Sequence, residues 1–472
     1  MLGTILVFFM QTGFAMLEAG IVSPKNVQNI LLKNIMDASI GALCWFVLGF
    51  GIAQGSGTAP SFVGGSGYIL NNEDFDDGTG YAYAGWLFQW AFAATTATIV
   101  SGAVAERCTF TAYCTYAVLL ISFIYPVMVH IGWNVSGWAS AWREDTLLAG
   151  CGLTDFAGSG VVHMTGGTAA FWAVFFLGER RNKSPELPGY AYVFQLLGTM
   201  ILWVGWFGFN GVSTLYIINY GQVASKTMVC TVLSAAASAV TCLWGSAFYD
   251  KNVTQVDEHI TVRLQNATNG ALAGLVGVTA GCSVVDPGGA IVIGIGAAWV
   301  YILGSRGLKK VKCFGADGKW GTGYIDDVID AIPVHGMCGA YGVIMTGLLA
   351  TKDNYARAYY AARAADCAGL LYGGTGGALG ANIIFIVVDV LWTSFWSILV
   401  FGTLKTLNLL RVDSDTEDIG MDASEHGAAP LKEGGAPSIA MSDSAKRTPS
   451  LDPAVAMNYS NKGGKKKDVE DI

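Results

Sequence analysis

The residues best placed to do chemistry are two histidines. The segments DFAGSGVVHMTGG (155–167) and DVIDAIPVHGMCG (327–339) both read D-x7-H-x3-G, with His163 and His335 each eight residues after an acid. Eight residues correspond to about 12 Å of helix rise. Both histidines lie in apolar runs, and an ionisable group in hydrocarbon is a functional candidate by default. A lone imidazole in such a setting is commonly a packed, satisfied residue. Two at matching depths of a repeated motif favour a pore or relay role. Neutral imidazoles can share a proton edge to edge, present a ring nitrogen or C–H to a small polar permeant, and carry a proton. Asp155 follows Thr154 and is expected to open a helix and cap its first N–H groups. No Cys, His and Asp group has nucleophilic or metal-ligand spacing, and no phosphate-binding loop appears. Hence no enzyme, ATP-driven pump, cofactor or metal is expected. Gly205, Gly208 and Gly211 read as helix-packing contacts.

The elements that must hold these histidines are membrane helices. Of the 472 residues, 53% are hydrophobic and 13% charged, against roughly 25% charged in a soluble domain. The 62 glycines, with 11 prolines and no G-X-Y period, suit helices packed backbone to backbone in a bilayer. Nothing basic and patch-like points to nucleic acid. Eleven apolar runs are long enough to span: roughly 1–20, 36–55, 83–104, 112–132, 157–178, 190–212, 224–248, 266–284, 288–305, 332–351 and 378–410. The first has no charged n-region or small-residue cleavage site, so it reads as a span rather than a removed signal. The fold class is therefore all-α polytopic: an inverted five-helix repeat (spans 1–5 and 6–10) plus a long eleventh helix. The two motifs open spans five and ten. A repeat of five helices inserts its second half upside down, which puts a transporter's functional site near the midplane between the halves.

Loop charge sets the orientation. Thirteen Lys and Arg, from Lys25 to Lys319, fall on one side, and five (Arg143, Lys226, Lys352, Arg357, Arg363) on the other. The richer side is cytosolic, so the N-terminus is expected outside and the C-terminus inside. The charge collects in loops and tail and leaves a nearly uncharged core. Residues 1–410 form the transmembrane domain, and 411–472 a cytosolic regulatory tail that reads as disordered from 428. Glu73, Asp74, Asp76 and Asp77 make the first large outer loop acidic, read as a solvated loop. Lys465, Lys466 and Lys467 read as a solvated end. Sequons at Asn252 and Asn266 fall on the inner side and are discounted. The ten cysteines are scattered, most of them (Cys44, Cys230, Cys242, Cys282, Cys338) in apolar runs as small buried hydrophobes. Cys151 and Cys367 share polar outer loops, and whether they pair stays open.

Several stretches resemble the ammonium transporters of the Amt/Mep/Rh superfamily, in order along residues 1–427: GFAMLEAGIVSPKNVQNILLKN (13–34), AERCTF (105–110), DFAGSGVVHMTGG (155–167), GWFGFNGVS (205–213), VHGMCGAYGVIMTG (334–347) and GMDASEHG (420–427). The resemblance implies eleven helices in two inverted halves and a homotrimer with one pore per subunit, in the plasma membrane. It implies recruitment of ammonium (or methylammonium) at an outer mouth by Trp133, Ser213 and Phe92, a gate of Phe92 and Phe209, and a pore lined by His163 and His335. Asp155 matches the structural acid near the outer site; the residues favour a capping job for it over direct ligation. Trp138 competes with Trp133 for the mouth, and Phe88 is expected to shape the vestibule. An outer Trp and a first Phe favour the Amt branch over an Rh-like channel. Relatives from plants and algae lean the reading toward electrogenic uptake.

The resemblance also places Ser424 where plant relatives carry a phosphorylatable Thr. A kinase acting there would add nearly two negative charges where the tail docks on a neighbouring subunit. Two other readings stay open: an electroneutral ammonia channel, and an ammonium sensor signalling through its tail.

Overall fold

The computed structural model describes residues 1–58, 60–70, 75, 78–183 and 187–429. The acidic loop residues Glu73, Asp74, Asp76 and Asp77 and the run Lys465 to Lys467 lie outside the described residues. The long helices are α1 (Leu2–Ala19), α2 (Pro24–Gln54), α3 (Tyr81–Ala103), α4 (Phe110–Trp133), α5 (Ser159–Leu177), α6 (Gly189–Thr214), α7 (Gly221–Asn252), α8 (Leu264–Thr279), α9 (Pro287–Leu308), α10 (Ile332–Leu349) and α11 (Gly377–Thr406). Among the described residues nine of them, all but α3 and α8, are long and apolar enough to cross a membrane. α8 has 16 residues, and α3 breaks its apolar surface with Gln89, Thr95, Thr96, Thr98 and Ser101. Both still pack inside the protein, with unbroken buried stretches at 91–103 and 268–279.

The helices extend past the apolar runs that reveal them. α2 starts at Pro24 rather than 36, so Lys33 is not in a loop: it lies inside α2, fully buried, with its Nζ donating to the Cys108 carbonyl at 3.4 Å. α7 runs from Gly221 to Asn252 rather than 224–248, and Lys226 in its first turns sends its Nζ back to the carbonyls of Ser283 (2.7 Å) and Val285 (2.9 Å). A helix is carried into polar flanks by its own ladder, and long cationic side chains reach back to polar groups. An antiparallel hairpin also interrupts the all-α pattern, β1 (Lys312–Phe314) with β2 (Trp320–Tyr324).

The core is not free of charge, contrary to the expectation from sequence. Glu18, Lys33, Asp37, Asp155 and Asp389 are all buried. Each acid is hydrogen-bonded, which is what makes burial tolerable. Glu18 accepts from Asn34 and Ser101, Asp37 from Thr98 and Tyr113, and Asp389 from Thr165.

The repeated motif appears as a structural pair. α5 and α10 each open with a π-helical turn, Ser159–Met164 and Ile332–Met337, and each turn contains its histidine. Such wide turns inside α-helices concentrate at functional sites. The motif's final glycine marks where the two backbones cross. A Cβ on Gly167 would stand 2.2 Å from the Gly336 nitrogen, and one on Gly339 2.4 Å from the Ser159 carbonyl oxygen. One expectation needs correcting: Asp155 does not open the helix directly. The chain first turns at Gly158 (φ 104°) and the helix begins at Ser159, so His163 sits in its opening turn.

Cys151 and Cys367 are bonded, with Cα atoms 5.5 Å apart. The start of the tail is folded: α12 (Ser414–Ile419) and α13 (Met421–His426) seat on residues 25–29 and 181–182. We call that side the tail face, and the side of the 134–158 loop the mouth face.

Gly167→Ala should lower stability by about 1–3 kcal/mol through overpacking, read as earlier loss of monodisperse protein on heating in detergent. Gly307→Ala, where a Cβ meets nothing within 4 Å, should not destabilise.

Candidate functional site

A cavity of about 620 Å³ opens on the mouth face, lined among others by Phe88, Phe92, Trp133, Phe156, Ser213 and Tyr360. Its floor is made of two rings. Phe92 from α3 and Phe209 from α6 stack at 4.0 Å between centroids and 20° between planes, and both are buried. Phe88 sits one turn earlier on α3, 4.8 Å from Phe92.

Trp133 closes α4 and packs its edge against Phe92 at 6.1 Å. Its indole N–H donates to the Asp155 carbonyl at 2.7 Å, which fixes the ring. Ser213 donates its hydroxyl proton to the Phe209 carbonyl at 2.6 Å. Its oxygen lone pairs therefore remain available at the cavity wall. Trp138 is elsewhere: its ring packs on Phe62 at 5.9 Å, and it does not line this cavity.

Asp155 has no free oxygen for a ligand. Oδ1 accepts from the N–H groups of Gly158 and Ser159, Oδ2 from those of Gly160 and Val161, all at 2.9–3.0 Å. One carboxylate thus satisfies the four N–H groups that open α5, while its own carbonyl positions Trp133. The acid shapes the mouth without touching its contents.

Directly beneath Phe209 lies His163, at 5.3 Å between rings, and beyond it His335. The imidazoles face each other with planes 21° apart and Nδ1 atoms at 3.2 Å. One Nδ1 must donate and the other accept, so the accepting ring carries its proton on Nε2. His163 Nε2 is buried without a partner. Trp206 stacks on His163 at 5.2 Å, anchored through its N–H to Thr279 at 3.0 Å, and Phe14 packs on His335 at 6.2 Å. Trp206 and Phe14 were not singled out from sequence, although both lie within the motifs quoted above. Reading inward, the column runs Trp133, Phe92, Phe209, His163, His335, Phe14.

Ser424 is far from this column. It is exposed on α13, whose Asp422 accepts from the N–H groups of Gln28 (2.9 Å) and Asn29 (2.8 Å) at the start of α2. His426 Nε2 lies 2.8 Å from the Asn29 amide. These contacts lie within the one chain.

The comparisons with known proteins agree with the geometry. The family model described as Ammonium Transporter Family matches residues 1–430. Ammonium transporter 1 member 3 of Solanum lycopersicum is 38% identical over 89% of this chain and 90% of its own length. Ammonium transporter 1 member 2 of Oryza sativa subsp. japonica is 40% identical over 87% and 80%. Among solved structures, a sensor Amt protein superposes with a TM-score of 0.74 at 29% identity, covering 90% of this chain and 96% of that one. Saccharomyces cerevisiae Mep2 superposes at 0.70 over 88% of each chain; at 23% identity it speaks for the fold alone. With the aromatic floor, the paired imidazoles and these matches in place, the chain is a multi-pass membrane protein that belongs to the ammonium transporter family.

Proposed function

We propose that this protein is an ammonium transporter that recruits the cation at the mouth face, strips its proton, and passes ammonia through a dry segment lined by His163 and His335. The observation that carries the reading is the stacked Phe92–Phe209 floor lying directly above an imidazole pair. The proposal extends to eleven spans, with α3 and α8 added to the nine apolar helices, in two inverted halves. It also takes the mouth face as external, the tail as cytosolic, the plasma membrane as the site, and a homotrimer as the assembly.

Selection begins at the mouth. Ammonium, potassium and water are similar in size, so size does not separate them. The Trp133 face attracts a cation, by roughly 2 kcal/mol when desolvated. Ser213 adds a lone pair that an N–H donor satisfies and potassium does not need. Phe92 completes the aromatic side of the pocket. Below it an intact ammonium would lose its hydration and face a cost of many kcal/mol. Leaving its proton behind removes most of that cost, and ammonia then needs only a brief swing of the Phe92 and Phe209 rings. At the histidines, the unpartnered Nε2 of His163 offers the polar contact that a dry passage lacks. A proton taken up at the free Nε2 of one ring, passage of that ring's Nδ1 proton to the other Nδ1, and loss of the second ring's Nε2 proton would carry the released proton across the pair. We therefore favour uptake that moves charge.

The tail adds control. Asp422 binds the N-terminus of α2 as an anion at a helix start. A phosphate placed by a kinase on Ser424, between Asp422 and Glu425, would crowd negative charge at that contact and lift α13.

Growth and methylammonium uptake in a host lacking its own ammonium transporters test the reading; no uptake by correctly targeted protein would sink it. Currents on ammonium addition are expected, and their absence with intact uptake would replace charge-moving transport by a neutral channel. Trp133→Leu should raise the half-saturation concentration about tenfold, the equivalent of about 1.4 kcal/mol; unchanged selectivity would remove Trp133 from recruitment. Ser424→Asp should depress uptake, and uptake equal to the parent's would discard the switch.

A further inference from the structure

The β1–β2 hairpin gathers positive charge where three spans end on the tail face. α9 ends at Leu308 and β1 begins at Lys312. Lys309 and Lys310 fill the link, and Lys319 stands in the turn before β2. All four lysines are exposed, and among the described residues none of them is in an ion pair. Lys312 lies over the Tyr324 ring at 3.8 Å. The one acid of residues 309–324, Asp317, holds the turn: its Oδ1 accepts from the Lys319 N–H at 3.0 Å and the Thr322 hydroxyl at 2.7 Å. The neighbouring acids are engaged by other cations. Asp250 pairs with Arg306 at 2.7 Å, Asp326 with Arg180 at 2.8 Å, and Glu179 with Lys183 at 3.6 Å.

Beside the lysines the hairpin shows water an indole. Trp320 is 60% exposed, and Tyr324 and Val311 next to it are exposed as well. The indole is fixed from behind. Its ring packs on Phe175 at 5.3 Å and on Phe314 at 5.6 Å. Lys405 stands over Phe314 at 4.0 Å and donates to the Phe176 carbonyl at 2.8 Å. Phe175 and Phe176 belong to the last turn of α5, and Lys405 to the last turn of α11. Phe171, Trp172, Phe175 and Phe176 are only half-buried, so this side of α5 is not sealed by the rest of the chain. The hairpin therefore lies at the level where α5, α9 and α11 leave the apolar layer.

We infer that this hairpin is a binding site for anionic phospholipid in the tail-side leaflet: Trp320 enters the boundary between acyl chains and headgroups, and Lys309, Lys310, Lys312 and Lys319 hold the lipid's negative groups. The inference rests on the chain crossing a bilayer and not on what passes the pore. An indole has an apolar body and a polar N–H, and the membrane boundary supplies an environment for each. Lysines just beyond a span are drawn to an anionic surface. A soluble acidic peptide would answer the lysines and leave the indole in water. A neutral lipid would answer the indole and leave the lysines without counter-charge. Anionic lipid answers both.

The test titrates the full-length protein in neutral detergent with phosphatidylserine and follows the midpoint of thermal unfolding. Phosphatidylcholine reports the acyl chains alone, and glycerophosphoserine the headgroup alone. Phosphatidylserine should raise the midpoint saturably, phosphatidylcholine less, and glycerophosphoserine not at all. Lys309→Gln, Lys310→Gln, Lys312→Gln and Lys319→Gln together should raise the half-saturating phosphatidylserine concentration at least tenfold. Trp320→Ala should raise it several-fold, and salt raised from about 0.1 M to about 0.5 M should weaken the parent's response. A four-lysine variant that responds like the parent would overturn the inference, as would equal responses to the two lipids. A glycerophosphoserine response equal to that of the lipid would overturn it in favour of a soluble anion. Should the four-lysine variant fail to fold, the parent decides: a phosphatidylserine response indifferent to salt overturns the inference.

Discussion

Two helices that enter a bilayer from opposite faces can meet at its middle only if the backbone groups freed at their ends are satisfied inside the protein. That constraint organises this molecule. The four N–H groups at the start of α5 would be orphaned in a region without water. The carboxylate of Asp155 takes all four, and with that helix start fixed, His163 can stand 3.2 Å from His335. The glycines at the crossing let the backbones come close enough for the imidazoles to touch. Change the helix start or the crossing, and the pair separates.

The mouth is coupled to the same anchor. The carbonyl of the residue that caps α5 also receives the Trp133 indole, so the Trp133 ring and His163 are referenced to one aspartate. The disulfide from Cys151 to Cys367 ties the loop carrying that aspartate to the segment before α11. Below, the aromatic rings stack without polar gaps until the imidazoles. The lining thus changes from a mouth with indole and hydroxyl groups to a stack of buried rings.

A second theme is asymmetry within symmetry. α5 and α10 repeat the π-turn, the histidine and the crossing glycine, yet their acids have different hydrogen-bond partners. The Asp155 carboxylate accepts from four backbone N–H groups, whereas Asp327 accepts from the Ile332 N–H beside a cavity. The buried acids Glu18, Asp37 and Asp389, each paired with hydroxyl or amide donors, serve instead as polar contacts between helices.

Much of this was legible in the chain alone. Membrane class followed from the scarcity of charge, and the pairing of two helix starts followed from the repeated D-x7-H-x3-G. The motifs pointed to Trp133, Phe92, Phe209, Ser213 and the histidines; the rings among them stack in sequence, and Ser213 stands at the cavity wall. Hydropathy misjudged Lys33, because helix α2 continues through polar residues whose partners lie on other helices. It also missed the buried acids, whose cost is met by donors distant in sequence. The pairing of Cys151 with Cys367, 216 residues apart, had no local signal. Sequence determined the periodicity, the spans and the chemical types available, since these depend on neighbours along the chain. Only the tertiary structure decided which Trp faces the mouth and that the two imidazoles meet, because each depends on hydrogen bonds and close approaches between segments the chain keeps far apart.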